Sequence, residues 1–491
     1  MTGSANLPDV MADAEPSDGS ATHPMLWGVN LLSDPIHGYI ELTKKLSPEH
    51  ARRLGLEEEM TAEGDLLDSA WLQRMRRISQ LQSARWVFPT AEHSRFTHSL
   101  GVMHEAGLWA RHLYPSLAAT LAAGPGGQEA VPSEGLVVET LRLAGLLHDV
   151  GHGPFSHFFD EHVLCHFSAP ADPRRRGKSL THEDLSQLVI EEELGPAIRA
   201  IRRAPGVVPE RDALRADERI EPRWLSFLIS KPALVDPAMP EWLRAMQPLL
   251  SGVFTVDNLD YVRRDAYLIG VAIGPVDVER IRRYSFIGER GLSMYEPGAG
   301  ALEMFLHARM FMYQQIYFHR SVRAIDLDLA EVFRPSIQAI FGDGSPADDL
   351  SHYADLDEYA LLHQAALWAR GEALSATPNP GDGTVTPEVG DLWRAILLRQ
   401  PRWHMERELR RAYEATDRAR VLAEAVRELG PIDDGRSAVD LAEIDARPSG
   451  ATTADDLLKI VRRDGEPSTP LSELLLRLPA YAVVARRYTR S

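Results

Sequence analysis

The sequence predicts a mainly α-helical protein with small β-hairpins and a mixed α+β C-terminal region. Apolar residues recur at helical spacing, as where Leu136, Leu143, Ala144 and Leu147 share one face. Residues 31–42 end in an alternation of polar and apolar residues, which predicts a turn and a short strand of a hairpin. The length of 491 residues and the hydrophobic content of 44% suit a globular chain with a large core.

Composition divides the chain into three parts. Residues 1–24 are rich in Ala, Asp, Pro, Ser and Gly without periodicity, which predicts a disordered lead-in. Residues 25–340 hold the segments with recognisable chemistry, including a proline-containing helical insert near 204–252. Residues 341–491 form a C-terminal region in which the sequence indicates no chemistry and no repeat.

Further elements are predicted along the chain. A helix and its exit are expected over 64–88, and a loop over 115–134, where prolines and glycines cluster. One long helix is expected over 301–335. Residues 389–430 look helical, and residues 481–486 read as a short strand.

Charge and composition exclude several classes of protein. The net charge of −18 argues against nonspecific nucleic-acid binding, which needs a basic surface. The single cysteine, Cys165, excludes an intramolecular disulfide. No apolar run is long enough to span a membrane and no secretion signal is evident, so we expect a cytoplasmic protein without a membrane partner.

The segment from His148 to His157 concentrates three histidines and one aspartate in ten residues. The adjacent pair His148 and Asp149 suits a divalent cation, because imidazole nitrogen and carboxylate oxygen are both good ligands. An isolated His-Asp pair is more often a surface histidine with a charged neighbour. The presence of His98 upstream and Asp257 downstream favours a metal site.

The order of these four residues resembles the HD-domain metal phosphohydrolases. The flanking sequences are similar to the deoxynucleoside triphosphate (dNTP) triphosphohydrolase branch of that family. They are Asp34-Pro-Ile-His-Gly38, Arg95-Phe-Thr-His-Ser-Leu-Gly101, His148-Asp-Val-Gly-His-Gly-Pro-Phe-Ser-His157 and Asp260-Tyr-x-x-Arg-Asp265. The resemblance covers roughly residues 29–335, and it implies an HD-domain helical fold.

The resemblance implies a metal centre and a set of proton donors. The implied metal ligands are His98, His148, Asp149 and Asp257, holding a divalent cation whose identity stays open among Mn, Fe, Zn and Mg. The candidate proton donors are His152, His157 and His182, with Glu183 orienting the last of these. The alternative for His182 is an ordinary helix start, because Thr181-His-Glu-Asp184 has the spacing of a capping box.

The resemblance also implies a substrate pocket. Its implied residues are Gln80, Leu81, Arg95, Tyr261, Asp265, Arg309, Tyr313 and Tyr317. Gln80 and Leu81 would sense the deoxyribose, Arg95 and Arg309 the phosphates, and Tyr317 the sugar. Without the resemblance, Gln80 and Leu81 would be interpreted as helix-end residues, and the stripe that contains Tyr313 and Tyr317 as core. One departure is Asn258, where the human member of the family has a lysine.

The function implied is metal-dependent hydrolysis of a dNTP to a deoxynucleoside and inorganic triphosphate, by attack of water on the α-phosphorus. The implied assembly is a homo-oligomer, either a dimer or a tetramer. Two alternatives stay open. One is an HD phosphohydrolase acting on another nucleotide, such as a nucleoside monophosphate or a signalling nucleotide. The other is a catalytically weak nucleotide-binding regulator.

Overall fold

The computed structural model describes residues 28–53, 61–169, 177–206, 209–230, 236–430, 435–445, 458–468, 473 and 478–490. The disordered lead-in predicted for residues 1–24 lies outside these ranges and stays a prediction. None of the helices in the described ranges combines the length and the apolar character that crossing a bilayer requires.

The predicted mainly α-helical class is confirmed. The α-helices of the described residues are α1 (Pro48–Arg53), α2 (Glu63–Leu67), α3 (Ala70–Arg74), α4 (Arg95–Ala123), α5 (Glu134–Leu147), α6 (His157–His162), α7 (His182–Leu188), α8 (Gly195–Ala200), α9 (Pro209–Asp212), α10 (Pro222–Ile229), α11 (Glu241–Met246), α12 (Pro248–Ser251), α13 (Val256–Ile269), α14 (Val278–Arg283), α15 (Ala299–Met312), α16 (Arg320–Phe341), α17 (Leu350–Asp355), α18 (Glu358–Ala369), α19 (Pro387–Leu397) and α20 (Arg418–Leu429). Short 3₁₀ turns cover Met75–Arg77, Gln82–Trp86, Gly127–Ala130, Leu164–His166, Glu296–Gly298 and Ala415–Asp417, and π-helical turns cover Val189–Glu193 and Tyr313–Tyr317.

Three small sheets accompany the helices. The strands are β1 (Val29–Asp34), β2 (Gly38–Thr43), β3 (Ser285–Gly288), β4 (Gly291–Tyr295), β5 (Trp403–Tyr413), β6 (Ser437–Asp445), β7 (Lys459–Val461) and β8 (Tyr481–Arg490). β1 and β2 form the predicted antiparallel hairpin. β7 adds in parallel to the β3–β4 hairpin, and β8 lies between β5 and β6 in an antiparallel sheet.

Helices α4 and α5 pack closely and bring two histidines together. His98 lies in the first turn of α4, and His148 follows directly after the last residue of α5. Gly145 permits this approach, because a Cβ there would lie 2.9 Å from the backbone oxygen of Val102. At Gly101, a Cβ would lie 2.0 Å from the carboxylate of Asp260 on α13, so three helices converge beside His98.

Two predicted elements in the first half of the chain are wrong in extent. The helix expected over 64–88 is divided into short pieces, because the Ser69 hydroxyl accepts the backbone N–H of Leu72 and starts a second helix. The loop expected over 115–134 begins only after residue 123. Helix α4 continues through Pro115 because Leu113 and Leu117 stay fully buried on either side of it.

Two predicted elements in the second half also differ. The long helix expected over 301–335 is interrupted by the π-helical turn Tyr313–Tyr317, and α16 starts anew after His319. The helical stretch expected over 389–430 contains strand β5. Pairing of β5 along the full length of β8 supplies hydrogen bonds that the local sequence pattern does not indicate. The strand predicted at 481–486 is confirmed within β8.

The main hydrophobic core includes residues from both sides of position 340. Tyr353, Trp368 and Trp393 of α17, α18 and α19 belong to the same buried cluster as Leu143 of α5. A smaller cluster lies between α20 and the β5–β8–β6 sheet. The first half of the C-terminal region therefore packs as part of the body that carries the histidine cluster.

Candidate active site

Four side chains converge where α4, α5 and α13 meet. His98 Nε2 lies 3.3 Å from Asp257 Oδ1 and 3.9 Å from Asp149 Oδ2. His148 Nε2 lies 3.3 Å from Asp149 Oδ1 and 3.9 Å from Asp257 Oδ1. All four predicted metal ligands thus face one point, and both imidazoles are buried.

Contacts behind the two histidines orient their rings. His98 Nδ1 donates to Asp260 Oδ2 at 2.9 Å, and His148 Nδ1 donates to the backbone oxygen of Gly145 at 2.8 Å. Asp260 is itself fixed by Arg264, which donates from Nε and Nη2 at 2.8 and 2.9 Å. The Nε2 atom of each ring is therefore the one that faces the carboxylates, an arrangement typical of metal-ligating histidine.

The spacing of these donor atoms fits one divalent cation. Ligands bound at about 2.1 Å from one ion are roughly 3.0–3.4 Å apart at octahedral or tetrahedral angles, close to the shorter separations here. Burial lowers the pKa of His98, but Asp257 and Asp260 outweigh it and raise that pKa to about 9. The cluster thus favours a positive charge at its centre, which either a proton or a cation can supply.

A second group of side chains lies beside the first, made of His152, His157, Asp160 and His182. The rings of His152 and His182 stack at a centroid distance of 3.6 Å with planes 14° apart. The lone pair of an imidazole nitrogen lies in the plane of its ring. Because these two ring planes are nearly parallel, the lone pairs of His152 and His182 do not point at one ion. This second group therefore suits proton transfer better than metal binding.

The two stacked rings differ in protonation. Burial lowers the pKa of His182, but the carboxylates of Asp160 and Glu183 outweigh it and raise that pKa to about 9. Burial and the neighbouring cations of Arg95 and His182 hold the pKa of His152 well below its usual range. These opposite shifts favour the protonated form of His182 and the neutral form of His152.

Asp160 is a residue that the sequence reasoning missed. Its Oδ2 accepts from His182 Nδ1 at 2.5 Å, whereas the predicted partner Glu183 lies 3.5 Å from the same nitrogen. The i,i+3 spacing of His157 and Asp160 on α6 was the available signal. The predicted capping box is present, since Asp184 accepts from the backbone N–H of Thr181 at 2.9 Å.

A cavity of about 510 Å³ opens beside both groups. All eight predicted substrate residues line it, namely Gln80, Leu81, Arg95, Tyr261, Asp265, Arg309, Tyr313 and Tyr317. Asp149, His157, His182, Glu183 and Asp257 also line it, whereas His98, His148 and His152 do not. The structure therefore places the predicted substrate residues and the carboxylates of Asp149 and Asp257 on the wall of one cavity.

Hydrogen bonds fix several of the cavity side chains. Tyr317 donates to Asp265 Oδ2 at 2.6 Å, and Arg309 Nε donates to the Tyr261 hydroxyl at 3.0 Å. Arg309 also donates from Nη1 to the backbone oxygen of Asp445 at 2.7 Å, so strand β6 contributes to this wall. Among the described residues, Gln80 Oε1 has no hydrogen-bond partner although it is buried.

Further cavity residues were not predicted. They are Gln82, Ser83, Ala84, Phe158, Glu161, Asn258, Phe318, Val322, Arg323 and Asp326. Arg323 donates to Asp440 of β6 at 2.6 Å and to Asp326 at 3.1 Å. Burial raises the pKa of Asp326 to about 6. Asp440 is 117 residues from Arg323 along the chain, so no local pattern indicates that contact.

The turn before His157 adopts an uncommon backbone conformation. Phe155 has a φ of 58° and Ser156 a φ of 55°, and neither is glycine. Such residues cost of order 1–3 kcal/mol each and persist only where their surroundings hold them. The Ser156 hydroxyl accepts from Arg95 Nε at 2.6 Å, and Arg95 Nη1 pairs with Asp149. Arg95 therefore links this turn to one of the four predicted metal ligands.

The family model for the HD domain matches residues 95–221, which include His98, His148 and Asp149 at the centre of this geometry. Residues 95–221 are therefore the part of this chain that is similar to HD domains. That segment supplies three of the four clustered side chains, and Asp257 joins them from α13, beyond the matched segment.

Two relatives are similar to part of this chain. YwfO of Bacillus subtilis (strain 168) is 28% identical over 356 residues, which cover 69% of this chain and 66% of that protein. The human deoxynucleoside triphosphate triphosphohydrolase SAMHD1 is 28% identical over 314 residues, which cover 62% of this chain and 44% of that protein. The chain therefore spans about half to two thirds of the length of these relatives.

A solved structure shares the fold of most of this chain. A hypothetical protein from Aquifex aeolicus superposes with a TM-score of 0.61 at 24% sequence identity. The match covers 94% of this chain and 96% of that one. The C-terminal region is therefore part of an architecture that occurs outside this protein.

Proposed function

We propose that this protein is a metal-dependent phosphohydrolase that converts a dNTP and water to a deoxynucleoside and inorganic triphosphate. The observation that carries the proposal is the convergence of His98, His148, Asp149 and Asp257 beside the 510 Å³ cavity. SAMHD1, which is similar to part of this chain, is a deoxynucleoside triphosphate triphosphohydrolase by name, which supports the same choice of substrate.

The four convergent residues would hold a divalent cation, with Mn, Fe, Zn and Mg as the candidates. When bound, such a cation lowers the pKa of a coordinated water and draws charge from a phosphoryl oxygen. Arg95 and Arg309, both on the cavity wall, would meet the charge of the phosphates. Asn258 is neutral and provides no positive charge for the phosphates, so we assign their neutralisation to these two arginines.

His182 is the proton donor that we propose for the leaving 5′ oxygen. It lines the cavity, its protonated form is favoured, and Asp160 holds its Nδ1 atom. Its Nε2 atom therefore remains for the substrate. His157 also lines the cavity but is 58% exposed, and His152 is fully buried away from the wall.

The sugar would lie against Gln80, Leu81 and Tyr317. Gln80 Oε1, which has no partner among the described residues, could accept the 3′-hydroxyl. Leu81 is buried in one small cluster with Val322, against which Tyr317 packs, and in the proposed pose its side chain would crowd a 2′-hydroxyl. The Tyr317 hydroxyl is held by Asp265 and so has a fixed position.

An isotope experiment tests the proposed bond cleavage. Hydrolysis in ¹⁸O-labelled water should place the label in triphosphate, because attack on the α-phosphorus forms a new P–O bond and releases the 5′ oxygen with the nucleoside. Label in the deoxynucleoside would indicate attack on carbon. Label in orthophosphate would indicate attack on the γ-phosphorus. Either of these outcomes would reject the proposed reaction.

Asp260→Asn should weaken divalent-cation binding about 10- to 100-fold, because the carboxylate that orients His98 loses its charge. Calorimetric titration of the metal-free variant with Mn²⁺ measures this effect. Asp328→Asn provides a control, since Asp328 is buried, accepts from Arg402 at 2.7 Å and does not line the cavity. Equal affinities for Asp260→Asn and the wild type would contradict the role of Asp260.

Leu81→Ala should raise hydrolysis of ribonucleotides relative to deoxynucleotides by about tenfold, since removal of the side chain opens space near the 2′ position. The ratio of kcat/KM for the matching NTP and dNTP gives the result. Val87→Ala is the control, because Val87 packs against the same small cluster and does not line the cavity. An unchanged ratio in Leu81→Ala would place the ribose elsewhere.

A further inference from the structure

The loop between α5 and α6 is held by residues from beyond position 340. The Tyr353 hydroxyl donates to the backbone oxygen of Gly151 at 2.8 Å. Arg74 donates to the backbone oxygen of His152 at 2.6 Å and to that of Leu356, also at 2.6 Å. The junction of α17 and α18 therefore lies directly against the loop that carries the histidines.

Glu358, the first residue of α18, makes the most specific of these contacts. Its Oε2 atom accepts the backbone N–H of Phe155 and the backbone N–H of Ser79, each at 3.2 Å. Its Oε1 atom accepts from Arg85 Nη1 at 2.7 Å. The side chain of Glu358 is fully buried. Its carboxylate thus connects α18 with residues 79–85 and with the turn at Phe155.

The two backbone groups that Glu358 binds stand next to residues of the cavity wall. Ser79 precedes Gln80, and Phe155 lies two residues before His157. The Ser156 hydroxyl also donates to the backbone oxygen of Ser79 at 3.1 Å, so the two segments contact each other beside the carboxylate. Any shift of Glu358 would move both segments together.

The conformation of the turn explains why a fixed acceptor is needed there. Phe155 and Ser156 have positive φ angles, which residues other than glycine adopt only when their surroundings hold them. The Phe155 ring is fully buried and packs against the rings of Trp86 and Phe333, at centroid distances of 5.5 and 5.7 Å. Ring packing holds the side chain, while Glu358 holds the backbone N–H.

We propose that Glu358 is a positioning residue that fixes the turn before His157 and the segment before Gln80 in one geometry. Through these segments it would set the distance between the histidine group and the sugar end of the cavity. The effect on turnover rests on the proposed function, whereas the effect on the backbone does not.

The test compares Glu358→Ala with a matched variant, Glu63→Ala. Glu63 is also fully buried, accepts the backbone N–H of Thr43 at 2.8 Å and pairs with Arg142 at 2.6 Å, but it contacts neither segment. Hydrogen exchange of the full chain, followed by mass spectrometry, reports on the peptides that cover residues 78–84 and 150–158. We expect at least about tenfold faster exchange there in Glu358→Ala and wild-type exchange in Glu63→Ala.

Kinetics on the same variants supply a second readout. If the wild type hydrolyses dNTPs, kcat of Glu358→Ala should fall at least about tenfold, and kcat of Glu63→Ala should stay within about twofold. Glu358→Asp, which shortens the side chain and keeps its charge, replaces the alanine variant if that one does not fold. Wild-type exchange in both peptides, or equal acceleration by Glu63→Ala, would overturn the proposal. Absence of dNTP turnover in the wild type would reject the proposed function and leave the exchange result to decide the role of Glu358.

Discussion

His148→Ala should lose both divalent-cation binding and dNTP hydrolysis, with a fall in kcat/KM of about 10³-fold or more. Loss of the charge stabilisation that a cation provides costs several kcal/mol, and about 4 kcal/mol corresponds to three orders of magnitude in rate. His148 is a suitable ligand to change, because its other ring nitrogen, Nδ1, donates to the backbone oxygen of Gly145, which every substitution at 148 leaves in place. Asp149, by contrast, also pairs with Arg95.

The measurement for His148→Ala combines calorimetric titration with Mn²⁺ and steady-state hydrolysis of a dNTP. His112→Ala is the matched control, because His112 lies on α4 and its Nε2 atom contacts the backbone oxygen of Ser285, away from the cavity. We expect that control to bind cation and hydrolyse substrate as the wild type does. Full activity in His148→Ala with weakened cation binding would show that the cluster is not the catalytic centre.

His182→Gln should lower kcat by about 10²- to 10⁴-fold, the usual contribution of a general acid. Cation affinity should stay within about twofold of wild type, because His182 is outside the group formed by His98, His148 and Asp149. Glu183→Gln is the comparison, since Glu183 is the more distant of the two carboxylates near His182. A larger loss in Glu183→Gln than in His182→Gln would assign the proton to another group.

The pH dependence of kcat tests the same donor independently. Asp160 and Glu183 overcome the effect of burial and raise the pKa of His182 to about 9, so the protonated donor is present below that pH and is lost as the pH rises through it. Asp160→Asn removes the carboxylate that raises the pKa of His182 most. We therefore expect the alkaline limb of the profile to move down from about pH 9 toward the ordinary histidine value of about 6.5. An alkaline limb that stays in place would contradict the pairing of Asp160 with His182.

The cluster of His98, His148, Asp149 and Asp257 could be predicted from the order of these residues and the similarity of their flanking motifs, whereas the His-Asp pair alone is a weak signal. His98 and His148 stand at the ends of two apolar helices, and Asp257 opens a third. Helices that pack in one core can bring residues at their ends together. The similarity of the flanking motifs to those of HD-domain phosphohydrolases indicated that these three helix ends meet. The roles assigned to these residues remain predictions, although the structure brings all of them to one place.

The supports of the site could not be predicted, because their partners are distant along the chain. Glu358 is 279 residues from Ser79 and 203 from Phe155, and nothing near it in sequence indicates either contact. Arg309 meets the backbone oxygen of Asp445, which any residue type could supply. Strand β5 was mistaken for helix for a related reason, since its pairing partner β8 lies at the end of the chain.

The most direct test of the central claim is phosphorus NMR of the purified protein with Mn²⁺ and each dNTP, beside the matching NTP. We expect inorganic triphosphate from one or more dNTPs and much less from the NTPs. Orthophosphate or pyrophosphate as the first product would contradict attack on the α-phosphorus. No turnover of any dNTP, even in a mixture of all four, would contradict the proposed substrate and favour another nucleotide or a binding role.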